Sequence, residues 1–180
     1  MSATVSITED DVTTALRTFL LSVVYAGVEV VLGQDNLVGE PEADNFIVMT
    51  PTRRGRLATN VDTWSLTDPN PTAIDHLQPT QVDVQLDIHG KLSTDLAQII
   101  STTFRDEYCV EVFEGIGIAM RPLNADDGHQ VPFLNAENQY ETRWVMNLSM
   151  QIDPVVSTNQ QFANTLGPVG LIEVDTTYPP

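Results

Sequence analysis

The chain has 180 residues, and 42% of them are apolar, which suits one domain with a real core and excludes a disordered tail. Twenty-five carboxylates face eight basic residues, for a formal net charge of −17. Such a surface repels phosphate and anionic lipid, so it argues against general nucleic-acid binding and against docking on an acidic membrane.

The acidic start, Met1 to Asp11, lacks the basic and apolar regions of a secretory signal. A helix is predicted from Glu9 to Val24, with Thr8 as N-cap, Asp11 as the capping-box acid, and Ile7 and Val12 as a hydrophobic staple. Val12, Ala15, Leu16, Phe19, Leu20 and Val23 make its apolar stripe. Phe19 to Leu32, the most apolar stretch, is too short to span a bilayer and contains Glu29, so folding in a cytoplasm is expected.

Val28 to Leu32 reads as a short strand or a continuation of the helix, and Gly33 to Asn45 as an acidic loop. Phe46 to Thr50 and Leu57 to Leu66 read as a hairpin with a basic tip, Pro51 to Arg56. Thr67 to Thr80 carries Pro69, Pro71 and Pro79 and is expected to be a surface connection.

Gln81 to His89 alternates apolar and polar residues and is the clearest strand. A second helix is expected after Ser93 as cap, with Leu96, Ile99, Ile100, Thr103 and Phe104 inward. Tyr108 to Phe113 is ambiguous. Ile116 to Pro122 reads as a strand, Asn124 to Gln139 as a polar loop, Thr142 to Ile152 as a long strand, and Gly170 to Val174 as a short one. The pattern is α+β: a mainly antiparallel sheet with two helices on one face, in a single domain of residues 1–180, with 1–7 and 175–180 as extended arms.

No phosphate loop, dinucleotide fingerprint or nucleophile elbow occurs. Cys109, the only cysteine, can form no intrachain disulfide and reads as a core residue. Asp83, Asp87 and His89 share a strand face, but any alternating strand of an acidic protein offers such a set. Asp126 and Asp127 lack EF-hand spacing. No metal, cofactor or catalytic residue is assigned. Arg53, Arg54 and Arg56 concentrate three of eight bases in one turn, where guanidinium forks can meet the acids of another copy.

Several segments together resemble the neck or tail-terminator proteins of contractile-tailed phages. They are Gly33-Gln34-Asp35-Asn36, Phe46-Ile47-Val48-Met49-Thr50-Pro51, Leu57-Ala58-Thr59-Asn60 and Gln81 to Gly90, then Val131-Pro132-Phe133-Leu134-Asn135 running into Glu137 to Trp144. The resemblance spans Gly33 to Val174 and implies a virion protein assembled in the host cytoplasm. It implies a ring, commonly sixfold, that ends the tail tube and sheath and faces the head connector or a completion protein. It implies no active site and no membrane partner, with DNA passing through unbound. The expected interface residues are Arg53, Arg54, Arg56, Gln139, Tyr140 and Arg143. Expected channel-facing acids are Asp35, Glu40, Glu42, Asp44, Asp126 and Asp127. Two alternatives stand beside this: another head-completion or tail-tube subunit, and an acidic metal-binding module or enzyme.

Overall fold

The computed structural model describes residues 3–34, 41–65, 72–134 and 140–160. In chain order these form β1 (Thr4–Val5), α1 (Glu9–Val23), β2 (Glu29–Leu32), β3 (Phe46–Arg56), β4 (Val61–Ser65), β5 (Thr72–Leu77) and β6 (Thr80–His89). Then come α2 (Ser93–Phe104), α3 (Glu107–Ile116), β7 (Met120–Ala125), β8 (His129–Gln130), β9 (Phe133–Leu134), β10 (Tyr140–Glu141), β11 (Arg143–Ile152) and β12 (Val155–Gln160). The expected α+β class holds. The expected strand Gly170–Val174 and the arm 175–180 lie outside the described residues.

The main sheet has the order β2-β3-β6-β11-β7, with β8 pairing β11, and every pair but β2 with β3 is antiparallel. Its spine is β6 against β11, in register from Thr80–Ile152 to His89–Arg143. Val82, Val84, Leu86 and Ile88 are buried on one face with Met146, Leu148, Met150 and Ile152, as the period-two pattern requires. The helices cover that face. Phe19, Phe104 and Phe113, one from each helix, are fully buried with ring centroids 5.6 to 6.5 Å apart. Their tilted and edge-on packing is the preferred aromatic geometry.

α1 begins as its sequence dictates. Asp11 N–H donates to Thr8 Oγ1 at 3.2 Å, and Thr8 N–H donates to Asp11 Oδ2 at 2.8 Å. The Thr8 hydroxyl also donates to Asp11 Oδ2 at 2.7 Å, and this bond first, with that from Thr8 N–H, holds the Asp11 carboxyl below the usual carboxylate range. Arg17 Nε donates to the Val30 carbonyl at 2.9 Å and ties α1 to β2, which is a strand and not more helix.

α2 departs from expectation at its start. Leu92 is the N-cap, Ser93 is the first helical residue, and the Ser93 hydroxyl is buried with no hydrogen-bond partner. No side chain caps the first turn; Asn45 Oδ1 accepts from Leu92 N–H at 3.0 Å and ties the start of the helix to the loop before β3. The ambiguous stretch after Tyr108 is a third helix, where two were expected. Asp106 caps it by accepting from Tyr108 N–H at 3.0 Å, and Gly117 ends it with φ 80°.

The expected hairpin at Pro51 to Arg56 does not exist. β3 runs straight through it and pairs with β6 down to Arg56–Thr80, with a bulge between Pro51 and Arg53. β2 pairs only Phe46 to Met49. Beyond that point β3 is an edge strand, where a proline costs no internal ladder bond. The expected connection across Thr67 to Thr80 contains β5, and the expected polar loop of Asn124 to Gln139 contains β8 and β9. The strand predicted over Ile116 to Pro122 begins only at Met120.

β4 and β5 belong to a second, all-antiparallel sheet of order β1-β12-β5-β4. Three adjacent main-sheet strands, β3, β6 and β11, continue into β4, β5 and β12 in the same lateral order. The chain crosses at residues 57–60, 78–79 and 153–154, where Pro79 and Pro154 interrupt the ladders. Leu57 N–H to Pro79 O (2.9 Å) and Gln78 N–H to Pro154 O (3.1 Å) bridge this waist. We call the second sheet the arm.

Candidate functional site

Arg53 and Arg54 point to opposite faces, because successive residues of a strand alternate; past the bulge between Pro51 and Arg53 the pairing with β6 is regular. Arg53 lies 3.8 Å from Asp83, and Arg54 lies 2.6 Å from Glu9 at the start of α1. Arg56 is exposed and has no ion pair among the described residues. The basic cluster of the sequence is therefore divided between two sheet faces.

The helix-free face of the main sheet carries a polar network. Ser149 Oγ and Gln81 Nε2 each donate to Asp83 Oδ1 at 2.7 Å, and Gln85 Nε2 donates to Asp87 Oδ2 at 2.9 Å. At one end this face, expected to be wet, is covered. Asp87 and His89 are each 7% exposed: Arg143 lies against Asp87, and Phe133 of β9 and Glu141 of β10 lie against His89. Arg143 Nε and Nη2 donate to Asp87 Oδ1 at 3.0 and 2.5 Å. The same guanidinium lies 5.7 Å from the Phe133 ring centroid.

His89 stacks on Phe46 at 4.5 Å and meets the edge of Phe133 at 5.4 Å. Its Nδ1 is buried without a hydrogen bond, 3.7 Å from Glu141. Burial lowers its pKa most, the Glu141 charge opposes that, Arg143 adds to the lowering, and Asp87 opposes it. Beside this cluster is a groove of about 580 Å³ lined by Asp44, Phe46, Gly90, Lys91, Tyr140 and Glu141 among others. Tyr140 is 83% exposed at its rim. Gln139 lies outside the described residues.

Of the acids singled out in sequence, Glu42, Asp44, Asp126 and Asp127 are exposed, and Asp35 and Glu40 lie outside the described residues. Asp126 accepts from Asn124 and Asn147, both at 3.2 Å. Asp127 is 3.9 Å from Arg105 across a groove of about 690 Å³ whose lining includes Gln98, Ser101 and Trp144.

Catalytic geometry is thin. Cys109 is fully buried and its thiol is pushed up to about 12 by desolvation, so it is a poor nucleophile. On the arm, His76 bridges Asp62 (2.7 Å) and Thr158 (3.2 Å), linking three strands. Its partners, 14 and 82 residues away, leave no local sign of the bridge in the sequence. Among the described residues no group of three or more His, Cys, Asp or Glu is placed to hold a metal ion, and no helix is long and apolar enough to cross a membrane.

A family model described as phage neck terminator protein matches residues 10–179, nearly the whole chain. The chain belongs to the phage neck terminator family. It is thus a structural protein of the phage neck, whose working surfaces are contacts with other tail and head proteins. No curated protein matches it. The match takes in nearly all of α1, the other two helices, the main sheet and three of the four arm strands; β1 lies before it.

Proposed function

We propose that this terminator closes into a ring of six copies on the last ring of the tail tube, stops tube and sheath growth, and presents a surface to the head connector or a completion protein. The observation that carries the reading is the family match over residues 10–179. Closed rings arise when unlike patches of identical chains meet under a rotation that closes. The ring would assemble in the host cytoplasm and stay in the virion neck.

The exposed bases and the Tyr140 rim supply contact groups. Arg56 has no partner among the described residues, and Arg53 holds Asp83 only loosely at 3.8 Å, so both can turn to a neighbour's acids. Tyr140, beside the Phe46 end of β3, would meet a neighbour, and Gln139 is proposed as a contact with it. Arg54 and Arg143 serve the chain's own fold first. Glu42, Asp44, Asp126 and Asp127, with Asp35 and Glu40, would face the channel. Carboxylates there release no counterions on meeting phosphate, so the genome passes without being held.

Native mass measurement and negative-stain imaging of the purified protein, alone and with tail tubes, test the reading. Discrete rings that cap tubes support it. Long filaments would indicate a tube subunit instead, and a protein that stays monomeric under both conditions refutes the ring. Replacing Asp126 and Asp127 with Lys should slow DNA ejection in a salt-reversible way if these acids line the channel.

A further inference from the structure

We propose that the groove between α2 and Trp144 receives Arg56 of a second copy, so that neighbouring subunits join head to tail. This deepens the ring reading and rests on it.

The groove, of about 690 Å³, is lined by the outer face of α2, by Asp127 and Gly128, and by Trp144. Its charged residues are Asp95, Arg105 and Asp127, two acids against one base. Arg105 lies 3.9 Å from Asp127, which leaves Asp95 as the groove carboxylate with no ion pair among the described residues. The polar groups beside Asp95 on α2 are used within the helix. Gln98 Nε2 donates to Thr102 Oγ1 at 3.0 Å, and that hydroxyl donates to the Gln98 carbonyl at 2.8 Å. Gly128 lets its loop come close to the indole, since a Cβ there would stand 3.2 Å from Ala97 and 3.3 Å from the Trp144 ring. An uncommitted carboxylate and an indole in one groove suit a guanidinium, whose planar fork pairs with the first while its flat face stacks on the second.

Charge and position select the occupant. Five arginines pair with carboxylates of their own chain, and Arg17 binds the Val30 carbonyl. Arg56 and Lys91 have no ion pair among the described residues, and Lys91 lines the separate groove beside Tyr140. Arg56 is therefore the exposed guanidinium left to be matched. Arg54 reaches Glu9 on the helix-covered side of the main sheet, and Arg56, two residues on in a regular stretch of strand, takes the same side. Trp144 and α2 are on that side too. Along the sheet the two patches lie at opposite ends. Arg56 pairs with Thr80 and Trp144 with Ile88, about 27 Å apart at the usual rise of a strand. Arg56 cannot reach its own groove across that span. Two unlike patches at opposite ends form a heterologous contact, the kind that closes rings. Between copies that each carry −17, pairing an uncommitted base with an uncommitted acid supplies local attraction against the general repulsion.

The test reverses each side in the full-length protein, with Arg56→Glu and Asp95→Arg. Both positions are exposed, so the variants should keep the circular dichroism spectrum of the parent. Each alone should need at least ~10-fold more protein to form rings, because one half of the pair then meets a like charge. The double variant, and an equimolar mixture of the two single variants, should assemble at concentrations near the parent's, since each again presents a base to an acid. If Asp95→Arg disturbs the start of α2, Asp95→Asn keeps the size of the side chain and should still weaken assembly. Folded single variants that assemble as the parent does would overturn the proposal while the ring reading stands. So would single variants that fail with no recovery in the double variant or the mixture. Arg56→Glu rings that form normally but no longer cap tubes would give Arg56 to the tube protein, and would overturn it too. A parent that forms no rings, alone or on tubes, would remove the ring reading and this contact with it.

Discussion

Arg143→Ala should destabilise the isolated subunit, which separates a clamp within the chain from a contact between chains. Its guanidinium donates twice to Asp87 Oδ1, and the two side chains are 26% and 10% exposed. Removing one member of a buried pair strands the other charge and costs about 3–5 kcal/mol. Arg143 keeps some solvent access, so the lower end applies, and the lost contact over Phe133 adds about 0.5–1 kcal/mol. The expected loss is about 3–4 kcal/mol, read as a lower urea midpoint with an unchanged slope. Asp87→Asn alone should cost somewhat less, since the amide still accepts. Arg143→Met with Asp87→Asn should recover much of the single-mutant loss, because no charge is left stranded. If Arg143→Ala stays within about 0.5 kcal/mol of the parent while assembly fails, the residue acts between subunits and the clamp reasoning is wrong.

His89 is held neutral by burial, so its folded pKa lies below the ordinary value of 6.5. The unfolded chain therefore binds the extra proton first. Stability should be full above that value and fall as pH drops through it toward the folded pKa, and His89→Gln should flatten that part of the pH–stability curve. Gly90→Ala should cost about 2–3 kcal/mol by denaturant melting, because φ is +97° and the new Cβ would sit 2.2 Å from the Asp44 carbonyl oxygen. Phe19→Ala removes the ring shared with Phe104 and Phe113 and should cost about 3–5 kcal/mol in the same assay. Arg56→Ala should leave stability within about 0.5 kcal/mol and reduce cosedimentation with tail tubes. Unimpaired cosedimentation would remove Arg56 from the interface.

The elements that sequence reading found are those whose signals are local and mutually consistent. Thr8 and Asp11 mark the start of α1, and alternation over Gln81–His89 and Thr142–Ile152 finds β6 and β11. What it missed depends on distant partners. Pro51 and Gly55 resemble a turn, but pairing with β6 on an open edge holds them extended. Prolines between Thr67 and Thr80 concealed β5, whose Thr72–Leu77 is set by β4 on one side and β12 on the other. α3 carried legible caps in Asp106 and Gly117, but its Val and Phe content resembles a strand. The site residues suffered most. Arg53, Arg54 and Arg56 are close in sequence, yet the alternation of the strand sends Arg53 and Arg54 to different neighbours, and nothing local announces that Arg143 would meet Asp87.

The arm also fixes when the subunit becomes complete. Val5 pairs with Val156, and Leu77 on β5 pairs with Val155, so the two strands flanking β12 wait for residues made late in synthesis. A chain halted before Val155 can build the helix layer and much of the main sheet. Among the described residues it then leaves β1 without β12 and β5 paired with β4 alone. The arm sheet is thus complete only in polypeptides translated through β12.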